Sequence, residues 1–125
     1  IDGGSTDGTV KEIESFSDKI SYFISEPDKG IYDGMNKGIK AATGDIIGIL
    51  NSDDFYPNNF VLSNVVKTFN NSNCDAVYGD LVYVKESDTS KIVRYWQTGE
   101  YSTSRIKNGW MLPHPTFFVK KSIKK

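Results

Sequence analysis

The spacing of apolar positions changes several times along the chain, and each spacing predicts one kind of element. Apolar residues recur every three or four positions, as in amphipathic helices, at Val10–Phe16, at 31–43 and in the stretch after Pro57 that ends at Phe69. Short runs rich in β-branched and aromatic residues predict strands at 20–25, 46–50, 75–79, 81–84, 92–96 and 115–120. The polar stretch 98–109 has neither spacing and predicts an irregular segment.

Strands that alternate with helices favour a largely parallel sheet with crossover connections. The strands at 81–84 and 92–96 are separated by the polar run 85–90, which predicts an antiparallel hairpin after the alternating part. The length of 125 residues suggests one domain. We therefore predict an α/β fold with a mixed, mainly parallel, Rossmann-like sheet flanked by helices.

Composition narrows the class of protein. Hydrophobic residues make up 38% of the chain, enough for a substantial core, and the net charge of −1 gives no reason to expect a nucleic-acid partner. The single cysteine, Cys74, fits a reducing compartment, and no apolar run approaches the length of a membrane span. Because the chain begins at Ile1-Asp2 in the manner of a strand end, we expect it to be a fragment.

Three polar turns follow predicted strands, at 2–7, 26–29 and 51–54. If the strands are parallel, the three turns lie at one edge of the sheet, where open α/β sheets bind ligands. Asp53 and Asp54 are adjacent carboxylates, which repel each other unless a positive charge compensates them. Divalent cations such as Mg²⁺ or Mn²⁺ take carboxylate and phosphate oxygens, so this pattern predicts a cation and a phosphorylated ligand.

The same residues also have structural interpretations. Asn, Ser and Asp form turns readily, and either Thr6 or Asp7 is predicted to cap the first helix. Asp33 can face solvent on its helix, and His114 lies between two prolines, where it can be purely structural. Trp96 and Trp110 either stack on a sugar or pack internally.

Three ordered segments resemble glycosyltransferase family 2. They are Asp-Gly-Gly-Ser-Thr-Asp-Gly-Thr at 2–9, Asp-Lys-Gly-Ile-Tyr-Asp-Gly-Met-Asn-Lys-Gly-Ile at 28–39, and the stretch from Gly-Asp at 44–45 to Asn-Ser-Asp-Asp at 51–54. Val-Tyr-Gly-Asp at 77–80 and Pro-His-Pro-Thr at 113–116 are similar to later landmarks of the family. The resemblance implies a GT-A fold, a nucleotide-sugar donor, a divalent metal and inversion at the anomeric carbon.

The resemblance also implies roles for individual residues. It makes Asp54 the direct metal ligand and Asp53 a metal or ribose partner. It places Asp2 in the turn beside the base and Asn36 on the helix that flanks the nucleotide pocket. We take Asp33 and His114 as further candidate substrate contacts. The family's general base lies in a motif beyond Lys125, so we expect the fragment to turn over poorly.

The chain departs from the family pattern at three positions. The second acidic residue of the first turn is Gly3 here, the arginine before the helix asparagine is Met35, and the first aspartate of the metal motif is Asn51. An amide can ligate a metal through its oxygen but adds no charge, so we expect a lower metal affinity.

On this interpretation, residues 1–80 form the nucleotide-binding part and 81–125 begin the acceptor side of a partial catalytic domain. The expected partners are a UDP- or GDP-sugar and a glycan or lipid-linked acceptor in cell-envelope synthesis. The expected location is the cytoplasm, with the terminal lysines leaving open a peripheral contact with the inner membrane face. Two alternatives remain: a sugar-phosphate nucleotidyltransferase, and a non-catalytic calcium- or carbohydrate-binding module.

Overall fold

A computed structural model describes residues 1–123; Lys124 and Lys125, two of the terminal lysines, lie outside the described residues. The described chain is an α/β protein whose contacts divide it into two compact units, residues 1–44 and the part from residue 45 onward. The helices are α1 (Thr9–Glu14), α2 (Ile31–Ala41), α3 (Val61–Asn71) and α4 (Thr103–Lys107), and a 3-10 turn spans His114–Thr116. The strands are β1 (Ile46–Gly48), β2 (Ala76–Val77), β3 (Leu81–Lys85), β4 (Asp88–Trp96) and β5 (Phe118–Lys120).

The first unit consists of α1, α2 and the turns between them. The predicted strand 20–25 is reduced to Ser25, which forms a parallel bridge with Asp2. Helix α1 has Gly8 as its N-cap, at a φ of 99° that glycine tolerates, instead of Thr6 or Asp7 as predicted. Asp7 still supports the helix start, because its Oδ1 accepts the backbone N–H of Thr9 at 3.1 Å.

The second unit contains two small sheets. Strand β5 lies between β1 and β2 and is antiparallel to both, and β3 and β4 form a separate antiparallel hairpin. The prediction of a mainly parallel sheet is therefore not confirmed, since the only parallel pairing among the described residues is the Asp2–Ser25 bridge. Strands β1 and β2 do run in the same direction, but β5, the last strand of the described residues, inserts between them.

Most other elements follow the predicted pattern. Helices α2 and α3 and the β3–β4 hairpin form where the spacing placed them. The hairpin pairs Leu81 with Trp96, and its turn is shorter than predicted because β4 already begins at Asp88. The segment 98–109 was predicted to be irregular but contains α4.

The core is smaller than the composition suggested. Among the apolar side chains of the described residues, only Phe69, Pro113 and Phe118 are less than 9% exposed. Leu62 and Val66, on the predicted inner face of α3, are 53% and 47% exposed. Strands of two or three residues are too short to cover a helix of eleven residues, so these apolar faces remain open.

Gly48 allows the closest contact in this core. It lies opposite Phe118 in the β1–β5 pair, and a Cβ atom at Gly48 would lie 2.5 Å from the Phe118 ring. We expect Gly48→Ala to destabilise the chain by roughly 1–3 kcal/mol, because overpacking forces the buried ring or the strand to move.

Chemical denaturation measures this change, and Gly79→Ala is the matched control, since a Cβ at Gly79 meets no atom within 4 Å. Equal stability of the two variants would show that Phe118 does not pack against β1.

Candidate functional site

A polar turn follows the end of β1. Beyond Gly48 the chain continues through Ile49 and Leu50 to residues 51–54, where the Asp54 N–H donates to the Asn51 carbonyl at 3.1 Å. This bond closes a turn, as the alternative interpretation of these residues expected. The turn leaves the side chains of Asp53 and Asp54 exposed to solvent and that of Asn51 half-buried.

Asn51 connects two other polar side chains. Its Nδ2 lies 3.0 Å from Asp54 Oδ2 and 3.1 Å from His114 Nε2. A carboxylate only accepts hydrogen bonds, so Asp54 fixes the Asn51 amide with its NH₂ group toward both partners. The second N–H then faces His114 Nε2, and the two form a hydrogen bond when the ring carries its proton on Nδ1.

The strand register explains why residues 63 positions apart meet. Gly48 pairs with Phe118 in an antiparallel ladder, so the chain after β1 and the chain before β5 emerge at the same end of the sheet. His114 lies just before β5, in a 3-10 turn that follows the fully buried Pro113. Thr116 anchors that turn, because its hydroxyl donates to the carbonyl of Pro113 at 2.9 Å.

The side chains of this turn suit an open metal site, in which a bound ligand completes the metal shell, better than a closed site made of protein ligands alone. Within the part of the chain that the structure describes, no three His, Cys, Asp or Glu side chains gather closely enough to hold a metal. Mg²⁺ and similar cations need only one or two carboxylates when substrate phosphates complete the shell. Asp54 and Asp53 meet that requirement. The described side chains of this turn do not supply enough ligands to hold a cation by protein atoms alone.

A surface hollow of the second unit is separate from this turn. It has a volume of about 460 Å³ and lies around the start of β1 and the end of β5, lined by Asp45, Ile46, Phe69, Asn70, Lys120, Lys121 and Ser122. The polar turn is at the opposite end of β1, so the hollow and the turn do not form one site.

In the first unit, Asp2 is a satisfied carboxylate. Its Oδ2 accepts the N–H groups of Gly4 at 3.0 Å and Ser5 at 2.9 Å and the Ser25 hydroxyl at 2.6 Å, and its Oδ1 accepts the Ser5 hydroxyl. The residue is 8% exposed, and the hydrogen bond from Ser25, followed by those from Ser5, holds its pKa far below the ordinary range. Asp2 therefore fastens the first turn to Ser25.

The second polar turn, at 26–30, is tied to α2. Asp33 Oδ2 accepts the Lys29 N–H at 3.1 Å, and this bond, with the nearby Lys37 ammonium, lowers the pKa of Asp33. Lys37 Nζ lies 2.9 Å from Glu26 Oε1 and 3.5 Å from Asp33 Oδ2, and the Glu26 hydrogen bond raises the pKa of Lys37. Asp33 is thus a loop anchor, in addition to any contact with a ligand.

Asn36 and Trp110 are two further predicted residues. Asn36 is exposed on α2, close in sequence to Asp33. Trp110 packs internally: its Nε1–H donates to the Thr98 carbonyl at 2.8 Å, the Tyr78 ring lies 6.0 Å away edge-on, and the Arg105 guanidinium lies 5.3 Å from its ring centre. These contacts favour the packing interpretation of Trp110.

The structure therefore brings the predicted residues together in two groups. Asn51, Asp54 and His114 meet in the second unit, while Asp2 and the 26–30 turn meet in the first, where Glu26 N–H donates to the Asp2 carbonyl at 3.1 Å.

The comparison with protein families identifies the chain: the model of glycosyl transferase family 2 matches residues 1–122. The chain belongs to glycosyltransferase family 2.

Several known glycosyltransferases are similar to this chain over part of their length. An uncharacterized glycosyltransferase of Mycobacterium tuberculosis is 40% identical over 67 residues, covering 54% of this chain and 26% of the relative. A PGL/p-HBAD biosynthesis glycosyltransferase of Mycobacterium bovis is 33% identical over 86 residues, covering 66% and 34%. An uncharacterized glycosyltransferase of Haemophilus influenzae is 35% identical over 107 residues, covering 76% and 42%.

The chain spans less than half the length of the relatives it matches, 26–42% in these three cases. No solved structure matches it significantly. None of the helices in the described part of this glycosyltransferase family 2 chain is long and apolar enough to cross a membrane.

Sequence reasoning singled out neither the Asn51 bridge nor the position of Asp28. Asp28 Oδ2 lies 2.7 Å from the place where a Cβ of residue 3 would be. The signal that could have found it is Gly3, since a glycine in place of the acidic residue that the resemblance led us to expect leaves room for another side chain.

The lowered pKa of Asp2 makes a prediction about acid stability. The carboxylate stabilises the fold fully above the pKa of an unfolded aspartate, about 3.9, and this contribution is lost as the pH falls below that value toward the lower folded pKa. We expect Asp2→Asn to be less stable than wild type at neutral pH, and to take up about one proton fewer on acid unfolding.

Denaturant titrations between about pH 5 and pH 2 measure this difference, with Asp18→Asn as an exposed control from the same unit. A stability curve of Asp2→Asn that stays parallel to wild type in acid would contradict the assigned hydrogen bonds.

Proposed function

We propose that this chain is part of an inverting glycosyltransferase that moves a sugar from a nucleoside diphosphate donor to a glycan or lipid-linked acceptor. The observation that carries the proposal is the Asp54–Asn51–His114 arrangement at the end of β1, in a chain that belongs to glycosyltransferase family 2. A divalent cation, Mn²⁺ or Mg²⁺, and a UDP- or GDP-sugar are the proposed cofactor and donor.

In this proposal, Asp54 binds the cation directly and Asp53 binds it from the neighbouring position or contacts the ribose. The bound cation would neutralise negative charge on the departing diphosphate. Asn51 holds Asp54 Oδ2 through a hydrogen bond of 3.0 Å, which limits the rotation of the carboxylate. When the His114 ring carries its proton on Nδ1, that N–H is a donor that suits a phosphate oxygen.

The reaction breaks the bond between the anomeric carbon and the diphosphate oxygen, and forms a bond to an acceptor hydroxyl from the opposite face. The acceptor proton passes to a general base. We assign that base to no residue of this chain, and we propose that the intact protein supplies it. Asp33 and Asn36 on α2 are the proposed further donor contacts.

The alternatives receive less support. A calcium module needs six to eight oxygen ligands, and the described residues gather no group of three acidic or other metal-binding side chains. The named relatives are glycosyltransferases, which favours sugar transfer over nucleotidyl transfer. The relative from M. bovis is named for PGL/p-HBAD biosynthesis. We propose a glycan or lipid-linked acceptor of cell-envelope synthesis and a cytoplasmic or peripheral membrane location for this chain.

An open site predicts that metal and nucleotide bind together. We expect weak Mn²⁺ binding without nucleotide and strong mutual enhancement with UDP or GDP, because phosphate oxygens complete the metal shell. Asp54→Ala should lower the affinity for the Mn²⁺–nucleotide pair by more than about tenfold, since loss of even an outer-shell partner costs roughly 10–100-fold.

Isothermal titration measures both affinities. Asp75→Ala is the matched control, because its side chain is 80% exposed in the same unit and its contact with Lys120 is 3.9 Å long. Unchanged binding by Asp54→Ala would remove the metal role from this turn.

The amide at residue 51 generates a second prediction. Asn51→Asp replaces the bridging donor by a third carboxylate beside Asp53 and Asp54, so the like charges repel each other in the absence of metal. We expect the melting temperature without metal to fall and the affinity for Mn²⁺ in the presence of nucleotide to rise several-fold. Thermal unfolding with and without Mn²⁺ measures both effects, and a weaker response to Mn²⁺ than in wild type would contradict the proposed coordination.

A further inference from the structure

The surface hollow of the second unit lies where three elements begin or end. Its lining comes from the start of β1, the end of β5 and the last turn of α3. Its volume of about 460 Å³ is within the range of sites for small ligands, roughly 300–1,000 Å³. The turn 51–54 follows the other end of β1, so none of the proposed catalytic roles uses this space.

Two backbone hydrogen bonds fix the end of β5 beside the hollow. The Lys120 N–H donates to the Asp75 carbonyl at 3.0 Å, and the Lys121 N–H donates to the Asp45 carbonyl at 2.8 Å. These bonds tie the strand end to the segments that precede β2 and β1. The backbone around the hollow is therefore held in place before any ligand binds.

Two of the side chains that line the hollow are apolar and largely covered. Phe69 of α3 is 7% exposed, and Ile46 of β1 is half-buried. Each methylene group of a ligand that is buried against such side chains raises the affinity roughly fourfold, because apolar surface leaves water. This part of the lining therefore favours a ligand with a short apolar portion.

Lys120 supplies a partly covered positive charge. Its side chain is 32% exposed, and its ion pair with Asp75 is 3.9 Å long. The Asp75 side chain is 80% exposed, and such a long ion pair with a hydrated partner contributes little. Among residues 1–123, the Lys120 ammonium group donates no hydrogen bond, so its three N–H donors are available to an anion.

The other polar side chains of the lining also favour an anion. The Asn70 amide and the Ser122 hydroxyl form no hydrogen bond with another described residue, and both can donate to an oxyanion. Lys121 adds a second ammonium group and Asp45 adds one carboxylate, so positive charge exceeds negative charge. A cationic ligand would be repelled by this excess.

We propose that the hollow binds an anionic amphiphile, namely a phosphate or carboxylate group carried on a short apolar chain. The anionic group accepts hydrogen bonds from Lys120, Asn70 and Ser122, and the apolar chain covers Ile46 and Phe69. A free phosphate would leave the apolar side chains uncovered. A purely apolar molecule would cover the Lys120 ammonium without giving it an anion, which costs free energy. The inference goes beyond the proposed function and does not depend on it.

The experiment is an NMR titration of the isotope-labelled, full 125-residue chain with hexyl phosphate, without metal or nucleotide. We expect the amide signals of residues 45–46, 69–70 and 120–122 to shift first, while those of residues 51–54 stay unchanged. Inorganic phosphate and hexanol each carry half of the ligand. Both should bind more than about tenfold more weakly, because two buried methylene groups or one charged hydrogen bond already account for that factor.

Variants at Lys120 test the anion contact. Lys120→Gln should lower the affinity for hexyl phosphate roughly tenfold or more, and Lys120→Arg should retain most of it because the charge remains. Lys67→Gln is the matched control, since Lys67 is an exposed lysine of α3 that does not line the hollow. Asn70→Ala is exposed at the end of α3 and should lower the affinity several-fold without changing the melting temperature.

A second arm identifies the source of the ligand. We compare sedimentation of the chain with phosphatidylcholine vesicles that contain or lack phosphatidic acid. Sedimentation that requires phosphatidic acid and is lost in Lys120→Gln assigns the site to a membrane lipid. Binding of hexyl phosphate without sedimentation assigns the site to a soluble amphiphile.

Three results would overturn the proposal. The first is the absence of binding by hexyl phosphate, or first shifts outside the lining of the hollow. The second is equal affinity for hexyl phosphate and either half of it, because the hollow would then recognise only an anion or only an apolar chain. The third is unchanged affinity in folded Lys120→Gln and Asn70→Ala variants. None of these results bears on sugar transfer, since metal and nucleotide are absent from the titration.

Discussion

The pairing of β1 with β5 is the constraint on which the site in the second unit depends. Gly48 lies against the ring of Phe118, and this contact fixes the register that places the end of β1 beside the start of β5. Asn51 and His114 follow and precede those strands by a few residues, so their contact of 3.1 Å is a consequence of the register. A shift of one residue would reverse the side-chain faces of these short strands and separate the two polar segments.

The second constraint is the hydrogen-bonding capacity of one amide. Asn51 supplies two N–H groups to two acceptors, Asp54 and His114, which an aspartate at the same position could not do. The resemblance implies an aspartate there, so this chain exchanges one negative charge near the proposed metal site for an amide that holds the Asp54 carboxylate and contacts His114. The first unit shows a comparable exchange, because Gly3 replaces an acidic residue and the Asp28 carboxylate occupies the adjacent space.

Local pattern predicted the elements that depend on local interactions. The spacing of apolar and turn residues predicted helices α2 and α3 and the hairpin β3–β4. The position of Asp53 and Asp54 after an apolar run predicted that they lie in a polar turn beyond a strand. Strand order is not contained in such a pattern, so the insertion of β5 between β1 and β2 was not predicted. The Asn51–His114 contact depends on that order, and the position of Asp28 depends on two distant glycines, so neither was accessible from spacing alone.

The central claim is that the turn 51–54 binds a divalent cation together with a nucleoside diphosphate. The most direct test is paramagnetic broadening of backbone amide NMR signals when Mn²⁺ is added to the isotope-labelled chain with saturating UDP. We predict that signals of residues 51–54 and of His114 broaden first, and that Mg²⁺ in excess restores them. First broadening elsewhere, such as in the acidic turn around Glu86 and Asp88, with residues 51–54 unaffected, would contradict it.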